Sequence, residues 1–491
     1  MNRMSAVFLL MLGAVAACAT TAPLREEAGI QFKQGLACAQ RQEYDQAAAY
    51  FTKVLELEPN YAPAYHNRGR AYFDSGRWEQ ALADFDQALK LKPDPAVYVD
   101  RGKIHELDRR FEKAFADFDK ALELNPRLAK AWARRGDAYA DQGQWEKAAA
   151  EYSKALELDP EDAETWKSLG MMHIAVGKPD LAISDFSRSV QVDPKSAWAY
   201  HRRGEAYAKK GELDLAISDF SKALELDPEH LLASYGRGDA YCRQGKYDLA
   251  IADFNKGLEL EPDGAGLYLR RANAFFCKGR YGQAMADYDR AIELDPKYTE
   301  AYYKRGCRRL WMARGGLAEV LEADGPNGPV PLRAGLEVVR GLNAAISDFD
   351  RTLELAPRHI GAYRFRGQAQ VCLGEYDLAV SDYTKALEIY PKCLGALEDR
   401  GVANLTRGAF LQAISDFDKA LEIDPEAHSA RIYKAATLDR AGRVQEAAAV
   451  YRQCLEKISS LPEFQAIALL IERRLEELSR QTLPLKAGAQ P

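Results

Sequence analysis

Residues 216–226 read Ala-Ile-Ser-Asp-Phe-Ser-Lys-Ala-Leu-Glu-Leu, with Asp227-Pro228 behind them. Alanine, leucine, glutamate and lysine favour helix, so the stretch predicts a helix that ends before the proline. Outward from it, prolines stand at 59, 93, 126, 160, 194, 228, 262, 296, 357, 391 and 425. Their gaps are 34 residues throughout, except one of 33 and one of 61. For a chain of 491 residues, length alone suggests about three globular domains, but a fixed period replaces that expectation with a repeated unit.

With the proline counted as position 32, the chain aligns with itself. Position 20 is alanine in all twelve copies, from Ala47, Ala81 and Ala114 to Ala447. Position 24 is Phe or Tyr, as at Phe51, Phe85, Tyr152, Phe220 and Tyr451. Position 8 is glycine ten times, the exceptions being Ala272 and Ala435. Small residues at 8 and 20 allow two antiparallel helices to approach, and the aromatic at 24 fills the gap towards the next pair. Glycine at position 15, as at Gly143, Gly211 and Gly374, marks the turn from helix A to helix B.

From about residue 28 to 461 this pattern resembles the tetratricopeptide repeat family. The resemblance implies an all-α, right-handed superhelical solenoid of about twelve helix-turn-helix units, each touching mainly its neighbours. Residues 462–480 form an amphipathic segment that would cap the last repeat through Phe464, Ile467, Leu470, Ile471, Leu475 and Leu478. Residues 481–491 read as a tail.

The chain carries 67 basic and 73 acidic residues, a net charge of −6, so there is no basic excess for nucleic acid. At the N-terminus, Arg3 precedes an apolar run from Ala6 to Ala17, the layout of a signal peptide over 1–17. Val15-Ala16-Ala17-Cys18 resembles a bacterial lipobox, in which Cys18 becomes a lipid-bearing N-terminus and 18–27 a short spacer. Ala19 after that cysteine resembles outer-membrane lipoproteins; ordinary cleavage nearby or an uncleaved tether is the alternative. The expected location is therefore the cell envelope, on the membrane face towards the periplasm.

Position 7 is arginine in nine repeats, and each of these has an acid at position 23, as in Arg68 with Asp84 and Arg203 with Asp219. The matched acids read as structural pairs between helices A and B. Repeat 5 breaks the rule, with Leu169 against Asp185. The nucleophile elbow, phosphate loop and His-Glu-x-x-His helix do not occur in the chain, and no His/Cys spacing suits zinc, so neither an enzyme nor a bound cofactor or metal is expected.

Positions 2, 5, 9, 12 and 13 share one face of helix A, which in this family lines the concave groove. They vary from repeat to repeat: His66, Arg70 and Asp74; Lys130, Asp137 and Asp141; Trp198, His201, Glu205 and Lys209; Tyr235, Asp239 and Arg243. Trp198, Tyr235, Phe276, Tyr303 and Trp311 add aromatic anchors, the side chains that dominate binding energy. The carboxylate clamp of chaperone-binding relatives is missing, since Lys167 at position 5 is followed by Met171 at 9. Repeat 9 carries 27 extra residues at about 314–340; the turn signal Gly325-Pro326-Asn327-Gly328-Pro329 between two helix-like stretches predicts a helical hairpin folded beside the groove, the alternative being a tolerated surface excursion. These features point to a non-enzymatic scaffold that binds partner peptides or helices in the groove and assists assembly of an envelope complex. The alternative is a glycan- or lipid-binding protein using the same groove.

Overall fold

A computed structural model describes residues 25–323 and 332–482; Cys18, the leader, the tip of the insertion and the C-terminal tail lie outside them. The described residues fold into helices joined by short turns, and no strand occurs among them. They fall into two compact units, 1–246 and 247–491. Within each unit the chain is a succession of helix hairpins, each packed on the next.

Repeat 6 shows how the sequence makes the hairpin. Ser196 caps helix A (Ala197–Lys210) by accepting from the Ala199 amide. Gly211 then turns the chain with φ of 87°, where a side chain would be strained, and helix B (Leu213–Leu226) follows. Eight other repeats put glycine with positive φ at this turn, whereas Gln42 and Arg109 adopt φ of 62° and 56° there without that freedom.

The small positions pack as their chemistry requires. Ala47, Ala81, Ala114 and Ala216 are fully buried. A methyl group added to Gly69 would lie 2.6 Å from the Phe85 ring, so glycine at position 8 makes room for the aromatic at 24 of its own repeat. That ring also meets the next hairpin: a Cβ on Gly236 would fall 2.5 Å from Phe220.

The position-7 arginines bind more than the sequence analysis assigned them. Arg203 grips Asp219 of its own helix B with two bonds of 2.7 Å and donates to Ser187 of the preceding repeat at 3.2 Å. Arg101 likewise joins Asp117 to Asp86, Arg305 joins Asp348 to Asp289, and Arg366 joins Asp382 to Asp350. Each arginine therefore sutures three helices. In repeat 5 the leucine exception is compensated, because His173 Nδ1 lies 2.5 Å from Asp185 and takes the arginine's place.

The insertion is helical on both sides, as the two helix-like stretches predict, and it continues the helices of repeat 9 without a break. Its residues lengthen both helices of repeat 9, to Thr299–Ala323 and Leu332–Leu355, so the extra chain is an outgrowth of the existing pair. Leu310, Ala313, Val338 and Leu342 bury between the two helices, giving the base of the arm its own apolar seam.

At the C-terminal end, helix Gln465–Thr482 packs Ala468, Ile471 and Leu478 against Tyr451, Cys454 and Ile458 of the last repeat. Leu470, expected on this face, is 62% exposed. The buried stripe runs through 464, 467, 468, 471, 475 and 478, and position 470 falls about 100° to one side of 471.

Candidate functional site

In unit 1 the A helices bring several of the expected groove residues together. His66 Nε2 lies 2.9 Å from Asp100 Oδ2 of the next A helix, Lys130 from the one after reaches Oδ1 at 3.1 Å, and Arg70 stands at 3.7 Å. Burial raises the Asp100 carboxyl, but His66 and Lys130 outweigh it and hold the group below its ordinary value. Asp100 sits at position 6, outside the set 2, 5, 9, 12 and 13 that helical periodicity assigns to the groove face. Asp74 and Asp141 are exposed on the last residues of their helices, and Asp137 is half-buried, bonded to Arg134 and to the Tyr152 hydroxyl.

Trp198 lines an open cleft of about 500 Å³ with Tyr152, Glu164, Lys167, Ser168, Met171 and Met172. The cations of Lys167 and Arg202 stand 5.6 and 5.1 Å from its ring, while Phe186 meets it edge-on. Lys167 pairs with the exposed Glu164 at the rim. The result is an apolar floor of methionine and tryptophan under charged walls, a surface fitted to an apolar side chain carried on a polar backbone.

Other expected anchors are not available to a ligand. His201 is 1% exposed, packed against Phe220 and His230, and its Nδ1 has no hydrogen-bond partner. Desolvation pushes its imidazole down to about 4, with Glu205 opposing and His230 and Arg202 adding to the shift. Glu205 pairs with Arg202 at 2.9 Å. Tyr235 and Asp239 are half-buried and engaged by neighbours. Arg243 is exposed but donates to the Ala208 carbonyl at 2.5 Å, adding a side-chain donor to a carbonyl that also accepts from the Gly211 amide at the end of the preceding A helix. Lys209 is exposed on the last turn of its helix.

In unit 2, Tyr303 packs against His359, Phe349 and Phe365 in the core of repeats 9 and 10, where Cys307 and Cys372 also lie. Phe276 is 7% exposed, yet it supports Trp311, which is 54% exposed at a centroid distance of 5.2 Å. Tyr281, from the start of helix B, completes this aromatic group at 5.0 Å from Phe276, and Arg308 lies over the Phe276 ring. Rings at position 5 turn towards the neighbouring hairpin, as His201 does towards His230 and Tyr303 towards His359, whereas position 13 stays open, as at Asp74, Asp141, Lys209, Arg243 and Trp311.

Stacked helix hairpins bearing a variable A-helix face over an invariant frame define a repeat scaffold of the kind that serves protein–protein interaction. Comparison with known proteins specifies the class: a model described as tetratricopeptide repeat matches residues 66–129, 167–231, 201–265, 339–392, 366–428 and 398–462, more than half of the chain. A second, described as TPR repeat, matches 35–76, 136–177 and 272–306. The chain belongs to the tetratricopeptide repeat family. It is 41% identical over 59 residues to tetratricopeptide repeat protein 36 of Caenorhabditis elegans, matching 12% of this chain and only 33% of that relative. Among solved structures, it is similar to MamA, at 29% identity and a TM-score of 0.33 over 34% of this chain and 96% of the other. YrrB, described as a TPR protein with an unusual peptide-binding site, is 26% identical with a TM-score of 0.35, over 40% and 97% of the two chains. Yeast Tom70 is 17% identical with a TM-score of 0.38, over 86% and 96%.

Proposed function

We propose that this protein is a non-enzymatic scaffold of the bacterial cell envelope that grips a partner protein through the A-helix face of unit 1 and assists assembly of an envelope complex. The observation that carries the reading is the Trp198 cleft, where Met171, Met172 and the indole present apolar surface beside Lys167 and Arg202. Methionine and tryptophan supply polarizable, adaptable contact area, and such anchors contribute most of the free energy of a small interface. The envelope assignment rests on residues 1–18, whose charge, apolar run and Ala17-Cys18 junction suit export and lipidation. Acyl chains on Cys18 would hold the chain to a bilayer, each buried methylene contributing about 0.8 kcal/mol.

The test is a comparative pull-down from crosslinked envelopes with the intact protein and a Trp198→Ala/Met171→Ala variant of unchanged circular dichroism. A partner captured by the first and lost from the second is the expected result. Identical capture by both would remove the cleft from the binding surface. The exposed Trp311 with Tyr281 supports a second reading, stacking of a glycan ring, and retention on immobilised cell-wall fragments that Trp311→Ala abolishes would favour it.

A further inference from the structure

Two adjacent A helices of unit 1, Pro95–Leu107 and Ala129–Asp141, carry carboxylates towards their C-terminal ends: Glu106 in the last turn of the first, Asp141 as the last residue of the second and Asp137 one turn before it. A helix C-terminus already presents the negative end of its dipole, so acids there are placed against the usual preference and intensify a field that favours a cation. Glu106 is 7% exposed, and its Oε2, closed off from solvent, has no hydrogen-bond partner. A buried acceptor without a donor is costly, and such groups in folded proteins call for an explanation. Asp137 differs, since Tyr152 donates to its Oδ1 at 2.7 Å and Arg134 to its Oδ2 at 2.9 Å.

Tyr152 connects this corner to the cleft, because the ring whose hydroxyl holds Asp137 also lines the wall beside Met171, Met172 and Trp198. An acidic corner and an apolar cleft thus adjoin on one face. We propose that Glu106, Asp137 and Asp141 form a subsite for the terminal charge of a lysine or arginine in a partner segment, whose neighbouring apolar residue enters the Trp198 cleft. The inference rests on the reading that this face binds partner segments and adds the chemistry of the segment. A basic side chain brings the N–H donor that Glu106 Oε2 lacks, on a stem long enough to reach a buried acceptor. The local cations do not fill that role: Arg134 is committed to Asp137, and the Lys103 ammonium lies 5.0 Å from the Phe73 ring.

The groups acting on Glu106 supply a second readout. Burial is the largest influence, Asp137 and Asp141 add repulsion, Arg134 and Lys103 oppose it, and the carboxyl is pushed up to about 8. A bound cation favours the ionised form, so binding releases a proton from Glu106 and affinity rises with pH until the free carboxyl has titrated.

The experiment selects peptides for the immobilised full chain from a displayed library of random dodecapeptides and synthesises the leading sequence. The expected peptides carry Lys or Arg beside an aliphatic or aromatic residue. Norleucine in place of that basic residue, or Glu106→Gln in the protein, weakens binding at least about tenfold. Asp141→Asn, at an exposed position that leaves folding intact, weakens it by about threefold. Affinity rises as pH approaches about 8, and Glu106→Gln abolishes that rise. If the selected peptides lose binding with Trp198→Ala but carry no basic residue and ignore both carboxylate variants, the subsite is overturned while the groove reading stands. If no peptide is selected, or Trp198→Ala has no effect on those that are, both are overturned.

Discussion

Arg109 and Gln42 occupy a turn that glycine fills in most repeats, and their φ angles of 56° and 62° place a Cβ where it meets the backbone. Arg109→Gly is therefore expected to stabilise unit 1 by about 0.5–1 kcal/mol, read as a higher urea midpoint at unchanged slope. A loss of stability would mean that the side chain contributes more than the turn costs. Two buried groups give the same unit a pH dependence of opposite signs. His201 titrates near 4 in the fold against about 6.5 unfolded, so its contribution is present above 6.5 and lost as pH falls through 4. Glu106 is raised to about 8, so its contribution is present below about 4.5 and lost as pH rises through 8. The melting temperature of Glu106→Gln, compared with the parent, is expected to gain progressively between those limits, and a constant difference across the range would contradict the burial argument. At this scale the sequence was only partly legible. Helical periodicity placed His201, Phe276 and Tyr303 on the groove face, but the angle between consecutive hairpins decides which positions the neighbour covers, and that angle is a property of packing.

Among the elements, helix pairing is what the sequence states most directly. The alanines at position 20 and the glycine–aromatic match at 8 and 24 specify a close approach that few other residues would allow, which is why the hairpins were readable. The third arm of each arginine suture was not read, although polar residues recur at position 25 as Asp86, Ser187, Asn255 and Asp289. Arg203→Met leaves Asp219 buried at 6% exposure without its cation, an expected cost of about 3–5 kcal/mol in denaturant unfolding. Adding Asp219→Leu should restore most of the loss, since a buried ion pair and an apolar pair are nearly equivalent; a double variant as unstable as the single one would place the energy elsewhere. The insertion was legible as extra chain with helical stretches, but not as a continuation of helices already present, because the turn signal locates the tip and says nothing of the base. Deleting 314–340 joins Ala313 to Gly341 and restores the ordinary repeat frame, so the helical ellipticity per residue should persist.

Across the whole molecule, stability in a repeat scaffold is a sum over neighbouring hairpins, so variants in unit 1 and unit 2 should act additively on unfolding. Export and anchoring belong to this scale as well. In a bacterial host, Cys18→Ala is expected to move the protein from the membrane to the soluble fraction and to abolish incorporation of labelled palmitate; unchanged fractionation would dismiss the lipid anchor. The central claim is that the A-helix face of unit 1 holds a partner protein, and site-specific photocrosslinking in living cells tests it most directly. A benzophenone amino acid is placed at position 198, in the cleft, or at position 411, where Leu411 is 73% exposed on helix Phe410–Ile423 of unit 2. The account expects one discrete partner adduct from position 198 and none from position 411. No adduct at 198, or the same adducts from both positions, would contradict it.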